Sequence, residues 1–205
     1  MNQLILFDVD STLIDQEVIE LIATHAGVES QVKQITDRAM AGEIDFAESL
    51  TARVSLLEGL SVSVLTDVQK AITLTNGATE LITNLQRQGD VVAVVSGGFL
   101  EVITPLMQEL KIENFLANQL EISNGKLTGR VLGDIVDRKA KAEYLQHLKA
   151  QLHPTRTIAV GDGANDIDMI KSANIGIAFC AKSALIAEAD HSIEVRDLRE
   201  VLKFL

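Results

Sequence analysis

The sequence predicts an α/β fold, a Rossmann-like parallel sheet core with a small α-helical cap inserted after the first strand. Three observations predict it. Short, nearly continuous apolar runs occur at residues 4–7, 91–95, 157–160 and 175–179, with a weaker one at 192–195. Such runs suit strands buried on both faces of a parallel sheet. Polar, helix-like stretches alternate with them at 78–88, 100–110, 140–150, 165–173 and 197–204, the order that builds strands joined by helical crossovers. Residues 15–75 break the rhythm, since no strand-like run occurs there.

Taken in order, LILF is the first strand, and the insert follows it. QEVIELIATHAG, ESQVKQITDRAMAG, DFAESLTARVSLLEG and SVSVLTDVQKAI each read as an amphipathic helix. Asp45 with Glu48 three residues on resembles a capping box. The predicted division is a core of residues 1–14 and 76–205 and a helical cap of residues 15–75. Gly89 ends the next helix as a C-cap, and VVAVV is the second strand. LEISNGKLTGRVLG departs from the pattern: Asn124–Gly125 between alternating residues signals a hairpin turn. TIAV and IGIAF are further strands, and Asp197 caps the last helix. Right-handed crossovers place the C-terminal ends of the strands, and any site, on one edge.

Composition narrows the function. In 205 residues, Lys plus Arg number 18 and Asp plus Glu 29, a net charge of −11, which argues against a nucleic-acid partner. A small anionic substrate needs only a local cluster of donors. The one cysteine, Cys180, leaves no intrachain disulfide and suits a reducing, cytoplasmic setting. The N-terminus lacks the basic region of a signal peptide, and no apolar stretch is long enough to span a bilayer. With aromatics at 3%, the core must be built from Leu, Ile, Val and Ala.

Three predicted strand ends carry chemistry. LILF runs into Asp8-Val9-Asp10-Ser11-Thr12; in extended backbone both carboxylates point the same way. Their repulsion raises one pKa and favours a bound cation or a split acid and base role. An EF-hand is excluded, because Thr12 stands where a ligand should be. VVAVV ends in Ser96-Gly97-Gly98-Phe99, a hydroxyl and backbone N–H groups at a strand end and helix start, which form an anion nest. TIAV ends in Gly161-Asp162-Gly163-Ala164-Asn165-Asp166. Asp166 stands where a dinucleotide fingerprint needs its third glycine, and no P-loop occurs. Each motif alone is also what a capped turn looks like, and Lys139 or Lys141 alone is also what a solvated lysine looks like. On one edge together they describe a site for Mg²⁺ and a phosphate ester, with a carboxylate nucleophile that forms an aspartyl-phosphate.

DVDST, then SGG, a lysine and GDGANDIDM, in that order, resemble the four motifs of the haloacid dehalogenase superfamily. The helical insert resembles that superfamily's small cap. AMAGEIDFAESLTARVSLLEGL, VSGGF, GDIVD and VGDGANDIDMI resemble the branch whose ester is O-phospho-L-serine, along nearly the full chain. Val9 departs from the pattern, where an aromatic is common.

The resemblance implies Asp8 as the nucleophile and Asp10 as the acid, then base. It implies Mg²⁺ held by the Asp8 carboxylate, the Asp10 backbone carbonyl and Asp162, with Asp166 in support. Ser96, Gly97 and Asn165 would contact phosphate. The family lysine opens a helix reading KAxxL, a register that Lys141 fits better than Lys139. In the insert, Glu17 resembles the ligand of the substrate ammonium, Arg53 the clamp on its carboxylate, and Met40 and Phe46 the apolar lid. The implied activity is a phosphomonoesterase of serine biosynthesis, acting as a monomer or homodimer. Alternatives are another small phosphorylated metabolite, phosphotransfer to an alcohol, or a catalytically dead binding domain, against which the intact Asp8, Asp10, Lys141 and Asp162 argue.

Overall fold

The computed structural model describes residues 2–40 and 43–205, without the side chain of Met40, so the expectation for Met40 lies outside the described residues. The apolar runs form a seven-stranded sheet in the order β4-β3-β2-β1-β5-β6-β7. The strands are β1 (Gln3–Phe7), β2 (Val91–Phe99), β3 (Asn114–Ser123), β4 (Lys126–Leu132), β5 (Arg156–Gly161), β6 (Ile175–Phe179) and β7 (His191–Ile193). All neighbours pair in parallel except β3 with β4.

The continuous apolar pattern of β1 has a direct cause. Leu4 and Leu6 face one layer and Ile5 and Phe7 the other, all fully buried. The Leu4 face packs against α7 (Arg138–Leu152) and α8 (Ile167–Ser172) through Leu145, Leu148, Met169 and Ile170. The Ile5 face packs against α5 (Ala78–Gln88) and α6 (Leu100–Glu109) through Leu81, Leu85, Val102 and Ile103. The chain runs outward from β1 through β2 to β3 and returns to β5 on β1's other side. That reversal opens a crevice at the C-terminal ends of β1, β2 and β5, the place where such sheets bind ligands.

The insert is helical as predicted: α1 (Val18–Ala26), α2 (Glu29–Met40), α3 (Phe46–Ser55) and α4 (Ser63–Ala71). Asp45 caps α3, its carboxylate accepting from Glu48 N at 2.7 Å. Leu50, Val54, Leu57, Leu65 and Val68 belong to the same apolar cluster as the Ile5 face of the sheet, so the insert is docked by continuous packing. Its two connections pair side by side: Asp15 N donates to Thr73 O and Thr75 N to Leu13 O, both at 3.0 Å.

Four elements differ from the sequence reading. The hairpin around Asn124–Gly125 forms, but β3 starts earlier and its first half joins the core beside β2, Ala93 opposite Asn114. NFLAN is short and half polar, so its period hides it. Serving both sheet and hairpin, the hairpin also grips the insert: Gly59 N donates to Leu127 O and Leu127 N to Leu60 O, each at 2.9 Å. The motif Ser96-Gly97-Gly98 continues β2 with a bulge instead of opening a helix, and α6 begins only at Leu100. The stretch 165–173 splits into a short 3₁₀ turn (Ala164–Asp166) and α8, and the last helix (Leu198–Phe204) is 3₁₀. Among the described residues no helix is long and apolar enough to cross a membrane. α9 (Ser183–Ile186) completes the fold.

Candidate active site

Asp8 ends the ladder of β1. Its N–H donates to Val160 O at 2.9 Å, and its backbone is extended at φ −71°, ψ 164°. Asp10 stays extended at φ −63°, ψ 133° before Ser11 turns left-handed at φ 56°. Both carboxylates therefore line one cavity, as residues of alternating register do. The cavity measures about 620 Å³.

Lys141 rises from α7 into the floor of this site. Asp137 caps that helix by accepting from Ala140 N at 2.8 Å. The Lys141 ammonium is fully buried, donates to Asp166 Oδ1 at 2.7 Å and lies 2.8 Å from Asp8 Oδ1. The aligned hydrogen bond goes to Asp166; the approach to Asp8 is an ion contact, and among the described residues Asp8 Oδ1 has no aligned donor. Lys139 is exposed and pairs with Glu143 on its own helix. Burial alone would lower the Lys141 ammonium, but Asp166 and Asp8 outweigh it and raise it.

Asp166 spends its other oxygen on backbone: Oδ2 accepts from Asp162 N at 3.1 Å and Gly163 N at 3.0 Å. Gly161 permits this turn, since a Cβ there would lie 2.5 Å from Asp166 Cγ. Carboxylate oxygens of Asp8, Asp162 and Asp166 lie within 4.8 Å of one another. Burial, then Asp166, pushes Asp162 up to about 7. Burial, then Asp166, raises Asp8 well above the usual carboxylate range against the pull of Lys141. Burial, then Glu17, does the same to Asp10. Asp8 and Asp166 share one ammonium with Asp162 crowded beside them, and among the described residues Asp10 Oδ1 is buried without a partner. Such a hard, oxygen-only donor set fits Mg²⁺.

Ser96 is fully buried and its Oγ accepts from Gly98 N at 2.8 Å. The Gly97 carbonyl is held by Asn118 Nδ2 at 2.8 Å, and Asn118 Oδ1 accepts from Val136 N at 2.8 Å. Asn118 thus ties the end of β2 to the loop that leads into α7. Sequence reading missed it, because a lone asparagine inside a strand has no signature. Phe46 covers Gly97 so closely that a Cβ there would meet its ring at 3.0 Å. Asn165 lines the same cavity.

The insert supplies the opposite wall with Glu17, Ile19, Phe46, Ser49, Leu50 and Arg53. Arg53 donates from Nε to Ser49 O at 3.2 Å; among the described residues its terminal nitrogens make no hydrogen bond. Burial lowers its guanidinium, opposed by Glu17, Asp10 and Glu20. Glu17 accepts from Ser11 Oγ at 2.6 Å, and Asp10 Oδ2 accepts from Val18 N at 3.3 Å. Arg138, Lys182 and Ser49 also line the cavity and were not singled out from sequence, where isolated surface-type residues carry no pattern.

A buried nucleophile-type carboxylate, a second acid two residues on, a buried lysine and a carboxylate cluster at the crevice of a parallel sheet define a hydrolase of one family. The haloacid dehalogenase-like hydrolase model matches residues 5–171, and the chain belongs to that family. Two of its curated relatives, each nearly half identical to it, carry one name. The phosphoserine phosphatase of Lactococcus lactis is 48% identical over 204 residues, covering 98% of this chain and 94% of that protein. That of Methanocaldococcus jannaschii is 48% identical over 206 residues, covering 100% and 98%. A solved phospho-aspartyl intermediate analogue of phosphoserine phosphatase superposes with a TM-score of 0.94 at 48% identity, covering 100% of this chain and 99% of that one. A substrate-bound phosphoserine phosphatase complex gives 0.95 at 47%, with the same coverage.

Proposed function

We propose that this chain hydrolyses O-phospho-L-serine to L-serine and phosphate, with Asp8 as nucleophile and residues 15–75 as a cap over a core of residues 1–14 and 76–205. The observation that carries the reading is the cavity itself. Asp8 and Asp10, with Lys141 buried against Asp8, face Glu17 and Arg53 across one space, phosphate chemistry on one wall and amino-acid chemistry on the other.

Asp8 Oδ attacks phosphorus and the bond from phosphorus to the serine oxygen breaks, leaving an aspartyl-phosphate. Asp10, raised by burial and then by Glu17 toward its protonated form, gives its proton to the leaving oxygen. The resulting carboxylate then takes a proton from the water that attacks the aspartyl-phosphate, releasing phosphate and restoring Asp8. Lys141 stabilises charge on the phosphoryl oxygens from beneath, and Asp166 holds Lys141 in line. Ser96, Gly97 and Asn165 hold the phosphate. Mg²⁺, held by the Asp8 carboxylate, the Asp10 carbonyl and Asp162, would supply positive charge that keeps Asp8 and Asp162 ionised beside an anionic substrate. Glu17 pairs with the substrate ammonium and Arg53 with its carboxylate, for which a guanidinium fork suits. Phe46 excludes water above the phosphate. The activity belongs to the end of serine biosynthesis in the cytoplasm.

Phosphate release from about twenty phosphate esters tests this, with phosphoserine expected to give the highest kcat/KM. Asp8→Asn should abolish turnover with the fold kept, since the amide is nearly isosteric but cannot attack phosphorus. Turnover of Asp8→Asn within about tenfold of the parent would remove Asp8 as nucleophile.

A further inference from the structure

Arg196 lies just beyond β7, at the far end of the chain from the first motif, yet its side chain is spent on that motif. Nε donates to Asp15 Oδ1 at 2.7 Å, Nη1 to Ser11 O at 3.2 Å and Nη2 to Ile14 O at 3.3 Å. The guanidinium also lies 6.0 Å from the centre of the Phe179 ring. All three acceptors belong to the first connection between core and insert. The next residues hold the second connection: Leu198 N donates to Asn76 O at 2.8 Å and Asn76 Nδ2 to Asp197 Oδ2 at 3.2 Å.

The residue most affected is Ser11. It is left-handed at φ 56° without being glycine, a conformation that persists only where the surroundings hold it. Arg196 holds its carbonyl, and Gln16 O accepts from its N–H at 3.2 Å. Held so, Ser11 directs its hydroxyl onto Glu17 Oε1 at 2.6 Å. Asp10 keeps a separate anchor at Val18 N. The Arg196–Asp15 pair is partly exposed on both sides, and such pairs contribute little to global stability.

We propose that Arg196 is a positioning residue for recognition of the substrate ammonium: through Ser11 it orients the Glu17 carboxylate. This rests on the reading of Glu17 given above. Without the guanidinium, Ser11 relaxes and Glu17 loses its orienting donor. The loss falls on KM for esters bearing an ammonium, and leaves the phosphoryl chemistry alone.

The test measures kcat and KM for phosphoserine and for p-nitrophenyl phosphate, which has no ammonium, in the parent, Arg196→Gln, Arg196→Lys, Ser11→Ala and the double variant Arg196→Gln/Ser11→Ala. Arg196→Gln should raise KM for phosphoserine about tenfold, with kcat and the p-nitrophenyl phosphate rate within about twofold. Arg196→Lys restores the charge opposite Asp15 but not the carbonyl clasp, so KM should stay high. Ser11→Ala should reproduce the loss, and the double variant should lose no more than either single one. Equal losses on both substrates, additive losses, or full rescue by lysine would each overturn the proposal. If the parent hydrolyses phosphoserine well and Arg196→Gln matches it, the positioning role fails while the function stands. If the parent releases no phosphate from phosphoserine, both fail.

Discussion

Two lysines two residues apart in the chain have opposite fates, and the physical reason is burial. Lys141 is fully enclosed between Asp8 and Asp166, whereas the Lys139 side chain is 81% exposed. Removing one partner from a buried charge cluster leaves the others uncompensated, which costs about 3–5 kcal/mol. Lys141→Ala should therefore lower the melting temperature by roughly 10 °C and abolish turnover, while Lys139→Ala should change neither by a measurable amount. Thermal melts and phosphate release on both variants check this, and equal effects would reverse the assignment. At the same scale, Ser49 is buried with an Oγ that has no partner among the described residues, beside the Arg53 that donates to its carbonyl.

At the scale of elements, the end of β2 meets α3 across the site. A methyl at Gly97 would require the Phe46 ring to give by a few tenths of an ångström. Gly97→Ala should push α3 outward and cut kcat/KM for phosphoserine by roughly tenfold or more. Phe46→Leu in the same chain should restore part of that loss, because a smaller side chain clears the new methyl. If Phe46→Leu restores nothing, the contact is not what limits the variant. Arg53 on the same helix is the proposed specificity residue. Arg53→Ala should cut kcat/KM for phosphoserine by about 100-fold or more, since a desolvated charge pair loses a partner. Phosphoethanolamine has no carboxylate, so its rate should fall much less, narrowing the gap between the two esters. The same factor for both would make Arg53 a packing residue of the insert.

At the scale of the molecule, the charge cluster couples stability to metal and pH. Asp162 is pushed up to about 7 in the fold from an ordinary 3.8. Between those values the folded, metal-free chain holds a proton that the unfolded chain releases, so this group's contribution to stability falls as pH rises toward 7 and stays lost above it. Mg²⁺, if held there as proposed, would compete with the proton for the carboxylate. The gain in melting temperature on adding saturating Mg²⁺ should be larger at pH 8 than at pH 6, and EDTA should reverse it at both. A gain independent of pH would separate Asp162 from the metal. Ca²⁺ should also raise the melting temperature but inhibit turnover, because it accepts more oxygens at longer distances and spoils the line of attack.

The strands and the motif ends were legible because local pattern and local chemistry agree there. β1 reads as buried on both faces because it is buried on both faces, and Asp8, Asp10, Ser96, Asp162 and Asp166 sit at strand ends, where loops carry function. The four helices of the insert were legible for the same reason, since their apolar spacing matches the faces they bury. The choice between Lys139 and Lys141 needed the likeness to a family. Only the tertiary structure decided that β3 bridges the sheet and the hairpin, that Asn118 ties two loops behind the phosphate site, and that Arg196 reaches back to Ser11. These are contacts between residues far apart in the chain. A single residue has no period or spacing that announces a partner 21 residues away, as for Asn118 and Gly97, or 185 away, as for Arg196 and Ser11, so what it touches is set by how the layers pack and not by its neighbours in sequence.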